Sequence, residues 1–384
     1  MRGLFLKACA FRFFDTFLLI LPFYTVMFAE HGLKPAQIGL VLSAWSLTTL
    51  ALEIPAGVLA DRTSRRWLLF AGQALRAVGF GVWMIAPGFW GYLVGLSLWG
   101  LKSALQSGTF EALVYDELAA MGHAEAYPRL MGRAQAARWA GFLSASLIAA
   151  WAVQFGYGLL LGASLAAAAF SAGTAIALPP APKARATHDH SFIDHMRRGV
   201  RDAIRLPGVA PLLLFIAAMQ AVVTGFEDYW QLLARLVGLP PPKIALFVAA
   251  LGGASALGSV LAHRAHRLPL PVLQGLLAVA GLAIVAASAL YRPWAVVALI
   301  PFVGLIRALD INFDARFQKR LAPETRATVA SVKGFMAQSA TTLMILGFGL
   351  IAQASAYRVS FAVYGAALAV LGVVYALAYA RRSR

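Results

Sequence analysis

The sequence predicts an all-α polytopic membrane protein: twelve transmembrane helices in two pseudo-symmetric six-helix bundles. Three observations carry that expectation. The 384 residues are 60% hydrophobic and 13% charged, with a mean hydropathy of +0.73, whereas soluble domains carry roughly 25% charged residues. Apolar runs near the roughly 20 residues needed to cross a bilayer recur along the whole chain. Two short sequence matches relate the halves at nearly one offset. A soluble enzyme or a disordered chain does not fit this composition. The single cysteine, Cys9, permits neither an intrachain disulfide nor a cysteine metal cluster.

The expected spans run 4–29, 36–60, 67–86, 89–115, 129–152 and 156–178, then 209–236, 240–262, 269–290, 293–318, 328–353 and 357–380. The first has Arg2 and Lys7 ahead of an apolar stretch, as a signal peptide does. Its length and its internal Arg12 and Asp15 mark it instead as an uncleaved span. Pro179 to Pro207 is the long hydrophilic stretch, with PPAPKARATHDH and an amphipathic RRGVRDAIR segment. The expected organisation is therefore an N-terminal bundle over 1–178, a cytoplasmic linker over 179–208 and a C-terminal bundle over 209–384.

The halves repeat. GVLADR at Gly57–Arg62 aligns with SVLAHR at Ser259–Arg264, and FEALVYDELAA at Phe110–Ala120 with FDARFQKRLAP at Phe313–Pro323. Each match falls at the same end of the second or fourth span of its half. The net charge of +17 follows topology rather than nucleic-acid binding. Loops on one side carry Arg62, Arg65, Arg66, Arg197, Arg198, Arg201, Arg264, Arg267, Lys319 and Arg320, and those opposite only Lys34, Lys243, Arg292 and Arg358. The positive-inside rule then places both termini in the cytoplasm of an inner (plasma) membrane protein.

GVLADRTSRR, between the second and third spans, resembles the signature loop of the major facilitator superfamily. Together with twelve spans, a two-half repeat and a long middle linker, the resemblance covers the whole chain. EIPAGVLADR and SGTFEALVYDEL look like the superfamily's drug and metabolite exporter branches. Ser64 stands where the signature loop usually has glycine, the fifth span reads GFLSASLIAA without the antiporter glycine–proline motif, and Lys102 takes the place of a fourth-span arginine. The resemblance implies a gate made of Gly57, Asp61, Arg62, Arg65 and Arg66, joined by the repeat-equivalent Glu111 and Asp314. Gly57 is expected to let helices approach closely.

A charge at mid-bilayer costs about 2.5–3.5 kcal/mol on insertion scales, so each one needs a partner or an aqueous cavity. Arg12 and Asp15 stand three residues apart on one helix face and could pair. Lys102 and Arg138 have no acidic residue within a turn on their own helices, which makes them candidates for a substrate anion. Neutralisation by Glu227 or Asp15 across a cavity is the alternative. Gln220, Thr224, Glu227 and Gln231 form one stripe, and Arg307, Asp310 and Asp314 another. Arg307 can bind substrate or simply be neutralised by Asp310. Gln106, Trp139, Gln220, Tyr229 and Trp230 complete the substrate candidates. Glu227 is the first candidate for proton coupling, followed by Asp15, Asp310 and Glu53. Arg76 breaks the pattern, since the third span otherwise reads as an outer helix.

All seven histidines fall in loops or at helix ends, which argues against an intramembrane histidine relay. His188, His190 and His195 in the linker form a poor metal site, and neither a metal nor another cofactor is expected. The chain has no GxxxxGKS/T loop and no HExxH or GxSxG motif. The expected function is secondary transport of a small anionic or zwitterionic organic solute by alternating access, as proton-coupled efflux of a drug, metabolite or siderophore. Import of a similar carboxylate-bearing solute is the alternative, ahead of a membrane sensor or a polytopic enzyme. The expected partners are the solute, protons and the lipid bilayer, with no nucleic acid, and a monomer suffices.

Overall fold

The computed structural model describes residues 1–180, 197, 200–201, 203–205 and 208–382. The described residues are overwhelmingly helical and contain no strand. The linker readings, including His188, His190 and His195, and the side chain of Asp61 lie outside the described residues.

All twelve expected spans are present as helical segments, and four of them are broken. The first is α1 (Arg2–Thr16) and α2 (Tyr24–Glu30), and the fourth is α5 (Phe89–Gln106) and α6 (Thr109–Ala120). The seventh is α9 (Val209–Glu227) and α10 (Trp230–Leu236), and the tenth is α13 (Pro293–Val297) and α14 (Ile300–Gln318). The breaks thus recur in the first and fourth spans of each half. The unbroken spans are α3 (Pro35–Arg62), α4 (Arg65–Ile85), α7 (Tyr127–Ala152) and α8 (Tyr157–Ala177), then α11 (Pro241–Ala265), α12 (Leu270–Leu290), α15 (Pro323–Ala354) and α16 (Tyr357–Arg382). Among the described residues, ten helices are long and apolar enough to cross a membrane; neither broken span of the first half is among them.

Local chemistry explains several boundaries. Pro35, Pro293 and Pro323 open helices at positions where a missing N–H costs nothing. The Lys34 N–H donates to Gln37 Oε1 at 2.9 Å, closing the first turn of α3. Gly108, at φ +67°, lies in the break between α5 and α6 in a conformation that favours glycine.

The helices gather into two units: one holds α1–α8 with residues 240–249, the other holds 209–239 and the helices from 250 onward. In the first unit α1 packs on α7, α3 on α5, and α4 on α8. In the second α9 packs on α15 and α12 on α16, the same pairing moved by six spans. The third pair is made by Gly258 of α11 and Gly304 of α14, where an added Cβ would lie 2.1 Å from the Gly304 carbonyl oxygen.

Lipid tails are as apolar as leucine, so such contacts rely on small residues rather than on hydrophobic transfer. Gly79 meets Gly95 between α4 and α5, and Gly281 meets Gly365 between α12 and α16. Gly57 does not behave as its sequence position suggests: an added Cβ there would meet nothing within 4 Å, so it is not a close-approach residue in this structure. The outside is apolar. Ile85, Trp90, Trp151, Phe155 and Trp294 are exposed at span ends, where aromatic and aliphatic groups meet the membrane interface.

Candidate functional site

The first unit buries a charged cluster built from three spans. Asp15, at the C-terminal end of α1, is 6% exposed, Arg76 of α4 2% and Lys102 of α5 8%. Asp15 Oδ1 lies 2.8 Å from Lys102 Nζ and 3.1 Å from an Arg76 guanidinium nitrogen. Gln73 Nε2 donates to the same oxygen at 2.7 Å, and Gln106 Nε2 to Oδ2 at 3.3 Å. Arg76 also donates to the Asp15 backbone carbonyl at 2.8 Å, which is free because α1 ends one residue later. Two cations share one carboxylate, so the cluster carries one surplus positive charge.

The expected Arg12–Asp15 pair does not form. Arg12 turns instead to Glu111 of α6, with its guanidinium 4.2 Å from the Phe110 ring centroid. The three-residue spacing places both groups on one side of α1, but neighbouring helices offer each a better counter-charge. Arg76, which the sequence left without a partner, belongs to the Asp15 cluster. The Thr16 hydroxyl donates to the Arg138 carbonyl at 2.7 Å, joining α1 to α7. The Arg138 side chain itself is exposed, and Trp139 is half-buried against Phe142.

Near the signature loop, Arg65 pairs with Asp116 of α6, and the Arg66 guanidinium lies 5.8 Å from the Trp67 ring centroid. Arg62 is exposed. Glu111 is taken by Arg12, so this half of the expected gate is a set of ion pairs joining α4 and α1 to α6. Asp314, its repeat equivalent, pairs within the other unit with Lys333 of α15. The two acids correspond in sequence, but their partners come from different spans of their halves.

The second unit contains a cavity of about 160 Å³ between α9, α10, α11 and α14. Its polar lining is Gln220, Thr224, Glu227, Ser255, Arg307 and Asp310, and its apolar wall includes Trp230. Arg307 pairs with Asp310 at 2.9 Å, as the three-residue spacing predicts. Gln220 Nε2 donates to the other Asp310 oxygen at 2.8 Å, and Arg307 Nε reaches Ser259 Oγ at 3.4 Å. Glu227 lines the cavity with its side chain exposed and makes no hydrogen bond or ion pair among the described residues. Glu227, Asp310 and Arg307 together give this cavity one surplus negative charge.

The Major Facilitator Superfamily model matches residues 6–343. The chain belongs to this superfamily. Among curated relatives, it is 32% identical to the inner membrane transport protein YajR of Escherichia coli over 83 residues, 21% of this chain and 18% of that one. It is 26% identical to the multidrug resistance protein MdtH of Cronobacter sakazakii over 147 residues, 38% and 36% of the two chains. Each match spans well under two thirds of the relative's length. Among solved structures, a nucleoside transporter NupG variant superposes with a TM-score of 0.83 at 14% identity, covering 97% of this chain and 98% of that one. A bacterial homologue of the lysosomal transporter Spinster gives 0.75 at 15%, covering 98% and 95%. At such identities these likenesses show a shared fold.

On this major facilitator fold the candidates separate by surroundings. Gln220, Glu227, Trp230, Arg307 and Asp310 converge on one cavity. Lys102, Gln106 and Asp15 converge on the buried cluster. Tyr229 is fully buried: its hydroxyl donates to the Ile345 carbonyl at 3.2 Å and its ring stacks on Phe348 at 4.2 Å, leaving no surface for a solute. Glu53 is exposed on α3 and makes no hydrogen bond or ion pair among the described residues. Sequence reasoning missed Gln73, a buried amide one turn before Arg76 on α4. That i, i+3 polar pair in an otherwise outer-type helix was the available signal.

Proposed function

We propose that this chain is a secondary transporter that moves a small anionic or zwitterionic organic solute across the inner membrane by alternating access, as proton-coupled efflux. The observation that carries the reading is the pair of unbalanced charge sets, one in each unit. A buried surplus cation in the Asp15–Arg76–Lys102 cluster favours a solute carboxylate or phosphate. The 160 Å³ cavity carries a carboxylate, Glu227, in no direct ion pair among the described residues, since Arg307 of the same cavity is paired with Asp310. A structural bundle gains nothing from either, because intramembrane charge is costly.

Four broken spans at equivalent positions suit a fold whose binding groups lie at helix interruptions. Efflux rests on the MdtH likeness and on the exporter-like stretches around Gly57 and Glu111. Both termini are assigned to the cytoplasm by the lysine and arginine distribution. The bundles are assigned to 1–178 and 209–384 from the hydrophilic stretch between them.

The test compares small molecules in cells and medium for the intact chain and for the Glu227→Gln, Lys102→Ala double variant at matched membrane levels. A compound enriched in the medium only with the intact chain supports efflux and names a solute to reconstitute. Selective depletion from the medium would replace efflux by import. No difference across several growth conditions would overturn the transport reading.

A further inference from the structure

A second concavity lies where the starts of α1 and α7 meet, and shares no lining residue with either charge set. It is a groove of about 600 Å³ lined by Arg2, Phe5, Leu6 and Cys9 of α1 and by Arg129 and Arg133 of α7. None of its lining residues is acidic. Arg129 and Arg133 stand one turn apart on one face of α7. The exposed Arg133 has its guanidinium 5.4 Å from the Phe5 ring centroid, beside the groove's apolar wall. Leu6 is exposed, so the groove offers apolar surface and fixed positive charge side by side.

We propose that this groove binds one anionic phospholipid, with the headgroup phosphate on Arg2, Arg129 and Arg133 and the upper acyl chain against Phe5 and Leu6. Charge complementarity selects the occupant: three guanidiniums with no carboxylate among them match a phosphodiester, which each can hold with paired N–H donors. Position selects a lipid over a soluble phosphate. The groove sits at the ends of two membrane-inserted helices, the depth at which headgroups lie. Its exposed leucine would be left facing water by a ligand without a hydrocarbon tail. Basic pockets between transmembrane helices are a known physical solution to anionic headgroup recognition. A lipid seated there would bridge α1 and α7, the helices that Thr16 also ties together.

The chain's single cysteine makes the proposal directly measurable, because Cys9 lines the groove and no other thiol reacts. The full chain is placed in nanodiscs of phosphatidylcholine, or of phosphatidylcholine with phosphatidylglycerol, and the rate of Cys9 alkylation by a small maleimide is followed. The informative quantity is the ratio of rates in the two lipids, since surface potential acts on every variant alike. Phosphatidylglycerol is expected to slow alkylation of the intact chain. The lipid dependence of that protection should weaken roughly 25-fold in Arg129→Gln/Arg133→Gln, at about fivefold per basic residue near an anionic surface. Arg129→Lys/Arg133→Lys should keep most of the protection and shows that the folded groove survives substitution.

Equal rates in the two lipids for the intact chain would overturn the site. So would unchanged protection in the glutamine variant. Equal protection by free glycerol phosphate in phosphatidylcholine discs would overturn the lipid as occupant.

Discussion

Asp15 Oδ1 lies 2.8 Å from the Lys102 ammonium and 3.1 Å from the Arg76 guanidinium, so one buried anion serves two buried cations. The asymmetry sets opposite expectations for the partners. Lys102→Met leaves a neutral Asp15–Arg76 pair, whereas Asp15→Asn leaves two cations facing each other in an apolar bundle. Breaking a buried pair by removing its shared partner costs about 3–5 kcal/mol. Thermal unfolding of the purified protein should therefore show a large loss for Asp15→Asn and little or none for Lys102→Met. Equal losses would mean that the cluster's stability is not centred on Asp15.

Lys102→Met also separates stability from transport. It removes the surplus cation that the proposed solute anion needs. Flux of an anionic solute is expected to fall while the melting temperature holds, and reconstituted vesicles measure both on one preparation.

Glu227 makes no ion pair or hydrogen bond among the described residues, and its side chain opens into the cavity. Glu227→Gln keeps size and hydrogen-bonding capacity and removes only the exchangeable proton. Concentrative flux driven by a pH gradient should drop to background in proteoliposomes. Solute exchange with equal pH on both sides should continue. Loss of both activities would assign Glu227 to solute binding instead of coupling.

Arg65 and Asp116 tie the signature loop to α6, and both are partly exposed. A partly exposed pair contributes about 1 kcal/mol or less to stability. Single substitutions Arg65→Ala and Asp116→Ala should leave the melting temperature nearly unchanged and alter the transport rate. The exchange Arg65→Asp/Asp116→Arg should restore much of that rate. A double variant no better than the singles would show that the pair has no role in gating.

The twelve segments were legible because a bilayer imposes one length and one composition on anything that crosses it. The Arg307–Asp310 pair was legible for a similarly local reason, since three residues on a helix bring two side chains together. Arg12 shows where that reasoning ends. Its helical neighbour Asp15 was available, yet its partner is Glu111, ninety-nine residues away. Spacing along a helix records which groups can meet locally and nothing of what adjacent helices offer. The interruption of the first span was only half-visible: Pro22 lies in the break, but an apolar run gives no measure of whether its helix is continuous.

Glycine poses the same problem of distance. Gly57 stands in the signature loop's approach and Gly258 in a plain stretch of α11. An added Cβ would touch nothing at Gly57 but would lie 2.1 Å from the Gly304 carbonyl oxygen at Gly258. Gly258→Ala must push α11 from α14 and is expected to cost about 1–3 kcal/mol, the usual range for overpacking. Gly57→Ala should be neutral or stabilise by up to ~1 kcal/mol, because alanine is the better helix former. Thermal unfolding decides the contrast, and flux gives it functional content. If Gly57→Ala keeps full stability but transports slowly, the close approach expected at Gly57 belongs to another state of the transport cycle. If it transports normally, Gly57 has no packing role in the cycle, and the glycine contacts that matter are those of Gly258 with Gly304 and of Gly79 with Gly95.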